Sequence, residues 1–261
     1  MSVRFAPILV LATTAAACGL GITGAAPDGD ALAGDAGGAD SSDAAGDVDA
    51  GGSSGDAEDQ VDAAPDADAD ADVNSLTLTT TTPGSDLDLD IEGTAGWAHW
   101  GFNANTNAFN QHASFVGAIP TFQVSVPSGG INLRTMSDNR TRITWAQGTP
   151  TAVSTGTLNG VYSRDNRVTF TLRVPLSPAT SELALYAGLH RAKAEIVVTL
   201  GDEEGAPVRA ATFDFEPGNA DFRFAIAHRV ASDTMLTIRW SMIEKYDQGN
   251  SNVTLVAATL R

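Results

Sequence analysis

The chain has 261 residues and a net charge of −17, yet fifteen of its 32 acidic residues lie between Ala26 and Asn74, a stretch without Lys or Arg. The remainder is only mildly acidic and shows no concentrated basic surface, which removes the phosphate-contact chemistry that nucleic-acid binding requires. With Cys18 as its single cysteine, the chain has no intramolecular disulfide to form.

The first element in chain order, MSVRFAPILVLATTAAACG, sets one positive charge, Arg4, before an apolar run of about a dozen residues from Phe5. As a helix, that run is too short to span ~30 Å of hydrocarbon. It reads as an export signal over residues 1–17. It also resembles a bacterial lipoprotein signal: Ala15, Ala16, Ala17 and Cys18 fill the four lipobox positions, with Ala15 where Leu or Val is commoner. The resemblance implies cleavage before Cys18, its acylation, and anchorage in a membrane of the cell envelope. Cleavage near the same alanines to release a soluble protein is the alternative. A lone thiol is a liability in an oxidising compartment, whereas as an acylated first residue it becomes a lipid anchor. Gly19 in place of Asp after the cysteine points to the outer membrane, by resemblance to enterobacterial sorting.

Residues 18–74 then form the lipidated start and a linker. From Ala26 to Asn74 the chain lacks aromatics and almost all large aliphatic residues. It has too little apolar area to offset the entropy of ordering, so a disordered linker is expected. Asp66, Asp68, Asp70 and Asp72 alternate in a way that suggests calcium, but an EF-hand loop would need Gly at Ala71 and Glu at Thr77. A solvated acidic tether is the better reading.

From Ser75 the texture changes to short β-rich runs divided by Gly, Pro, Asn and Asp. LDLDIE from Leu87 alternates apolar and acidic residues, and FRFAIAHRV from Phe222 alternates similarly. This is the period of half-buried strands, and no long run carries a helical stripe. ELALYAG from Glu182, AEIVVTL from Ala194, MLTIRWSM from Met235 and NVTLVAATL from Asn252 each read as a separate strand. Roughly ten short strands without βαβ alternation predict an all-β domain over residues 75–261, an antiparallel two-sheet β-sandwich of jelly-roll type.

Five stretches carry a family resemblance in chain order: GTAGWAHWG from Gly93, WAQGTP from Trp145, LYAGLHRA from Leu185, HRVASDTMLTI from His228, and NVTLVAATL. Together they resemble a β-sandwich module of secreted bacterial proteins, similar to galactose-binding-like domains. That resemblance implies a jelly roll and carbohydrate binding. Three departures stand out: Gly96 where the module has Asp, Leu189-His190 where it has an apolar residue and Trp, and GDEEG from Gly201 where it has a Ser-rich turn.

Two readings of GWAHW are open. On a strand, Trp97 and His99 share one face and Ala98 and Trp100 the other. The tryptophans either pack in a core or offer a ring to a sugar, with His99 and the Asn-rich segment after it, beginning at Asn103, bonding hydroxyls. Trp145 and Trp240, inside alternating strands, read as core. Tyr246, in YDQGNSN, has either sugar-contact or turn chemistry. The candidate ligand residues are therefore His99, Trp100, Asn103 and Tyr246. Asp86, Asp88, Asp90 and Glu92 would share one strand face, neutralised by Arg from a neighbouring strand or by calcium. The four histidines form no metal-ligand pair, there is no G-x-S-x-G or H-E-x-x-H motif, and Asp202, Glu203 and Glu204 read as a solvated turn. The expectation is a non-enzymatic protein without metal or cofactor. Its partners are a membrane, reached through the lipid, and a glycan or envelope polymer; a structural or protein-interaction lipoprotein is the alternative.

Overall fold

The computed structural model describes residues 74–261, so the signal segment, Cys18 and all of the linker but Asn74 lie outside the described residues. Fifteen strands occur among these residues. The first eight are β1 (Ser75–Thr81), β2 (Asp86–Asp88), β3 (Gly96–Trp100), β4 (Phe109–His112), β5 (Gln123–Ser125), β6 (Leu133–Met136), β7 (Arg142–Trp145) and β8 (Gly148–Thr149). Then come β9 (Ser154–Thr157), β10 (Gly160–Ser163), β11 (Thr169–Leu176), β12 (Glu182–Leu200), β13 (Val208–Arg229), β14 (Thr234–Lys245) and β15 (Asn252–Leu260). One short helix, α1 (Leu89–Glu92), follows β2.

Twelve strands join in a single antiparallel sheet that curls into a sandwich, and β12 is its hinge. Along its first half β12 pairs with β15, and along its second half with β14, while β13 flanks it throughout. Leu183, Leu185, Ala187 and Leu189 face the main core with odd parity; Ala192, Ala194, Ile196, Val198 and Leu200 face the same core with even parity. A period of two forbids this unless one residue is inserted. The insertion is Arg191, at φ 46°, within a bulge between His190 and Ala192. Bulges of this kind bend a strand and deepen its twist, which lets one strand serve both layers.

The layers meet through aromatic rings. Trp100 of β3 touches Phe122 with ring centroids 5.7 Å apart, and Phe122 touches Phe170 of β11 at 5.3 Å. Phe224 of β13 lies 5.3 Å from Trp240 of β14. The result is the β-sandwich that the alternation predicts.

A second, smaller core lies on the opposite face of the β12–β15–β3 region. There β2, β7 and β9 form a three-stranded sheet whose β2–β7 pair is parallel, a departure from the all-antiparallel expectation. Leu87, Leu89, Ile143 and Trp145 pack against Trp97, Tyr186, Val256 and Ala257. With both faces covered, β3 and β15 are buried almost end to end, which is why NVTLVAATL reads as a continuous apolar run rather than an alternation.

LDLDIE is not one strand. Asp88 ends β2 and caps α1, its Oδ1 accepting from the N–H of Asp90 at 3.0 Å and of Ile91 at 3.4 Å. Asp at an N-cap competes successfully with strand continuation because its side chain satisfies otherwise orphaned amides. The turn buries Leu87 and Leu89 but leaves Ile91 75% exposed, so the four acids do not share a strand face. Asp90 instead accepts from Trp97 Nε1 at 2.8 Å and from the Ala146 N–H at 2.6 Å, latching the small sheet to β3. The expected arginine partner is found at Glu92, whose carboxylate lies 3.3 Å from Arg223 of β13.

Candidate functional site

The two tryptophans of GWAHW belong to different cores. Trp97 packs at a 42° tilt against Trp145 with centroids 5.4 Å apart, and His99, on the same face, lies 5.1 Å from Trp145. Trp100 and Ala98 face the main core. The face assignment from alternation is therefore what the strand adopts, but the sugar-contact reading of His99 and Trp100 is corrected. They are 0% and 1% exposed, sealed because the small sheet covers one face of β3 and the sandwich interior the other. Gly96, at φ 140°, has no room for the module's Asp: a Cβ there would stand 2.8 Å from Ala118 Cβ.

Asn103 is exposed in a short 3₁₀ turn after Gly101, with φ 52°. Tyr246 is half-buried, its hydroxyl donating to Asp214 Oδ1 at 2.7 Å, a bond that pushes its pKa up to about 12. Neither residue lines the principal cleft. The Tyr246 loop does supply Asn250 to it, since Asp247 accepts from the Gly249 and Asn250 N–H groups and closes the turn.

That cleft, of about 450 Å³, opens on the outer face of the layer whose inner face forms the main core. Its volume falls within the ~300–1,000 Å³ of small-molecule sites. Cross-strand register builds its floor. Tyr162 of β10 lies opposite Thr254 of β15, Thr254 opposite Gly188 of β12, and Gly188 opposite Asp221 of β13. Directly opposed residues of antiparallel strands point to the same side, so these four form one row. Two residues further along, Asn252, His190 and Asn219 form the next row, where His190 Nδ1 and Asn219 Oδ1 are hydrogen-bonded. In the other direction the same face passes through Val256 and Tyr186 beneath the small sheet. The cleft is thus the uncovered continuation of the surface that elsewhere forms the second core.

Gly188 lies beneath these side chains: a Cβ there would stand 2.8 Å from Ala220 O and Asp221 Oδ1 and 2.9 Å from Thr254 Oγ1, so its absence lets Asp221 and Thr254 close over the strand. Burial raises the pKa of the Asp221 carboxyl; Arg140, whose Nε stands 3.8 Å away, opposes the shift, and the neighbouring Asp138 charge adds to it. Arg164 sets its guanidinium carbon 5.4 Å above the Tyr162 ring. One wall is the segment after β6. Asn139 ties it down, donating from Nδ2 to Thr141 O at 2.9 Å, and Asn159 Nδ2 donates to Met136 O at 3.2 Å. His99 Nε2 bonds Asn159 O at 3.1 Å, so His99 reaches this wall as a brace.

Sequence reading missed Tyr162, Thr254, Gly188 and Asp221 because they come from four strands distant in the chain. The one local signal was the aromatic-to-His position of LYAGLHRA, His190. Among the described residues, no cluster of His, Cys, Asp and Glu could hold a metal ion, and no helix is long and apolar enough to cross a membrane.

No protein-family model and no curated protein matches the chain. Solved structures similar to it include the enzymatically active domain of tailspike protein 4 from bacteriophage CBA120, at TM-score 0.35 and 10% identity over 54% of this chain and 19% of that one. TmCBM61, solved with β-1,4-galactotriose, gives TM-score 0.33 and 10% identity over 56% of this chain and 90% of its own. A carbohydrate-binding module of the β-sandwich superfamily gives 0.31 and 10%, over 56% and 58%. The chain spans about a fifth of the tailspike domain and over half of the last module. The cleft's own geometry, rather than these distant likenesses, bears on function.

Proposed function

We propose that the protein is a non-catalytic β-sandwich lipoprotein that binds a glycan or envelope polymer in the cleft lined by Tyr162, Thr254 and Asp221. The observation that carries this is a concave cleft of about 450 Å³ lined by the polar side chains of Tyr162, Asn219, Asp221, Asn252 and Thr254, the size and chemistry of a site for a hydroxyl-rich ligand. Cys18, acylated and leading into the acidic linker, would hold the domain at the outer membrane of the cell envelope.

A glycan array probed with the full chain tests the binding, with a positive signal expected on at least one oligosaccharide and its loss in Asp221→Ala. A blank array overturns it. Mass spectrometry of the mature amino terminus tests the anchor: an acylated Cys18 is expected, and an unmodified peptide starting elsewhere refutes it.

A further inference from the structure

The first part of β13, Val208–Phe215, is a sheet edge. β12 pairs with one side of it, β1 reaches only Arg223–Arg229, and among the described residues no strand pairs with its other side. The Leu200 N–H donates to the Pro207 carbonyl at 3.0 Å, and the register runs unbroken from Thr199↔Val208 to Ala192↔Phe215. Main-chain groups of an antiparallel strand alternate between its two neighbours. Arg209, Ala211, Phe213 and Phe215 therefore bond β12, while Val208, Ala210, Thr212 and Asp214 point outward. The Val208 carbonyl is taken by Arg209 Nη1 at 2.8 Å, which leaves Ala210, Thr212 and Asp214 with free groups. Sheets normally blunt a long edge with lysine, proline or a bulge. This run has none of the three, and its Asp214 charge is engaged within the fold by Tyr246 at 2.7 Å and Lys193 at 3.9 Å. Val208 is 48% and Phe215 39% exposed. Phe213 carries the core's aromatic packing out to the edge, 4.6 Å from Phe222 and 6.1 Å from Trp240.

We propose that this edge pairs with itself: two copies of the chain join antiparallel about a two-fold axis through Thr212, so that their sheets run on as one. The register follows from the free groups. With Thr212 on the axis, Thr212 faces Thr212 and Ala210 faces Asp214, so the three residues with open main-chain groups meet only one another, and each pair exchanges both N–H···O bonds. The alternate residues lie on the core-facing side of both copies. There Ala211 comes opposite Phe213, small against large, and Arg209 opposite Phe215, a cation beside an aromatic ring. No like charges stand opposite each other. The main chain alone would accept any extended strand; these side-chain pairs are what single out a second copy. The chain's own amino-terminal strand is elsewhere, since β1 begins at Ser75 opposite Arg229, the far end of β13. The pairing stands independently of the glycan reading.

The test is sedimentation velocity of the full chain over a micromolar to submillimolar series, in which monomer–dimer exchange is expected. Thr212 is exposed, so Thr212→Lys and Thr212→Glu leave the monomer folded, as circular dichroism would verify. Each sets two like charges at the axis and is expected to weaken dimerisation at least tenfold. Mixed in equal amounts, the two variants are expected to recover a dimer, because only a residue that faces its own copy turns repulsion into attraction in the mixture. A monomer at every concentration overturns the proposal. So does a dimer unchanged in both variants, or one that both weaken and the mixture fails to restore.

Discussion

His99 donates from Nε2 to the Asn159 carbonyl, which leaves Nδ1 a buried acceptor with no partner. Burial lowers its pKa from 6.5 to about 4, and the Asn159 bond only partly offsets this. Above pH 6.5 the ring is neutral whether the chain is folded or not. Below that the unfolded chain takes up a proton that the native state refuses, so stability falls as pH drops and stops falling near pH 4. The shift corresponds to roughly 3 kcal/mol at ~1.4 kcal/mol per pKa unit. Denaturant melts at pH 7, 6, 5 and 4.5 should show the decline, and His99→Phe should flatten it. Some slope will persist, because burial lowers the His228 pKa in the same direction. Trp100 presents a different balance. Its ring fills the main core while its Nε1 has no acceptor. Trp100→Ala is expected to cost about 3–5 kcal/mol by chemical denaturation. Trp100→Phe should cost much less, since it deletes an unsatisfied donor along with part of the ring.

At the scale of elements, the Arg191 bulge fixes which residues of β12 face inward. A non-glycine residue at φ 46° carries a left-handed penalty of ~1–2 kcal/mol, and its ion pair with Asp247 at 3.0 Å is half exposed, hence a weak compensation. Arg191→Gly is therefore expected to melt no lower than the parent. Arg191→Val, β-branched at a left-handed position, should melt several degrees lower, as thermal denaturation would show. The same bulge explains why ELALYAG and AEIVVTL read as two strands: the parity of the buried residues flips between them, which in a sequence looks like an interruption. The first half of β13, Val208–Phe215, went unread although Ala211, Phe213 and Phe215 alternate with Thr212 and Asp214; paired on one side only and largely exposed, it carries just that short signal. In LDLDIE the alternation was present but an Asp cap overrode it. The opposite facing of Trp97 and Trp100 was legible because β3 is a regular strand. That both faces were covered was not, since the covering strands β2, β7 and β9 are too short to announce a sheet. The cleft was illegible for a related reason: register, rather than sequence proximity, brings Tyr162, Thr254, Gly188 and Asp221 into line.

For the whole molecule, charge and fold are separable. Fifteen of the acids fall between Ala26 and Asn74, which leaves residues 75–261 near neutrality, and ion pairs there are local: Arg223 bonds Glu182 at 2.8 Å, and Arg261 bonds the same carboxylate at 3.0 Å. Both bonds help hold the Glu182 pKa below the usual carboxylate value, against the opposing effect of burial. Architecture is less divisible. β15 lies between β12 on one side and β3 and β10 on the other, and it contributes Leu255 to the main core and Val256 to the second. A chain cut before Asn252 should lose cooperative unfolding altogether, seen as a sloping melt and dye binding in place of a transition.

That position of β15 also sets an order of assembly. β3, β10 and β12 all precede it in the chain, yet none of the three is hydrogen-bonded to another except through it. Until the segment from Asn252 pairs, the large sheet is three separate pieces around β3, β10 and β12, and that strand is the keystone that joins them.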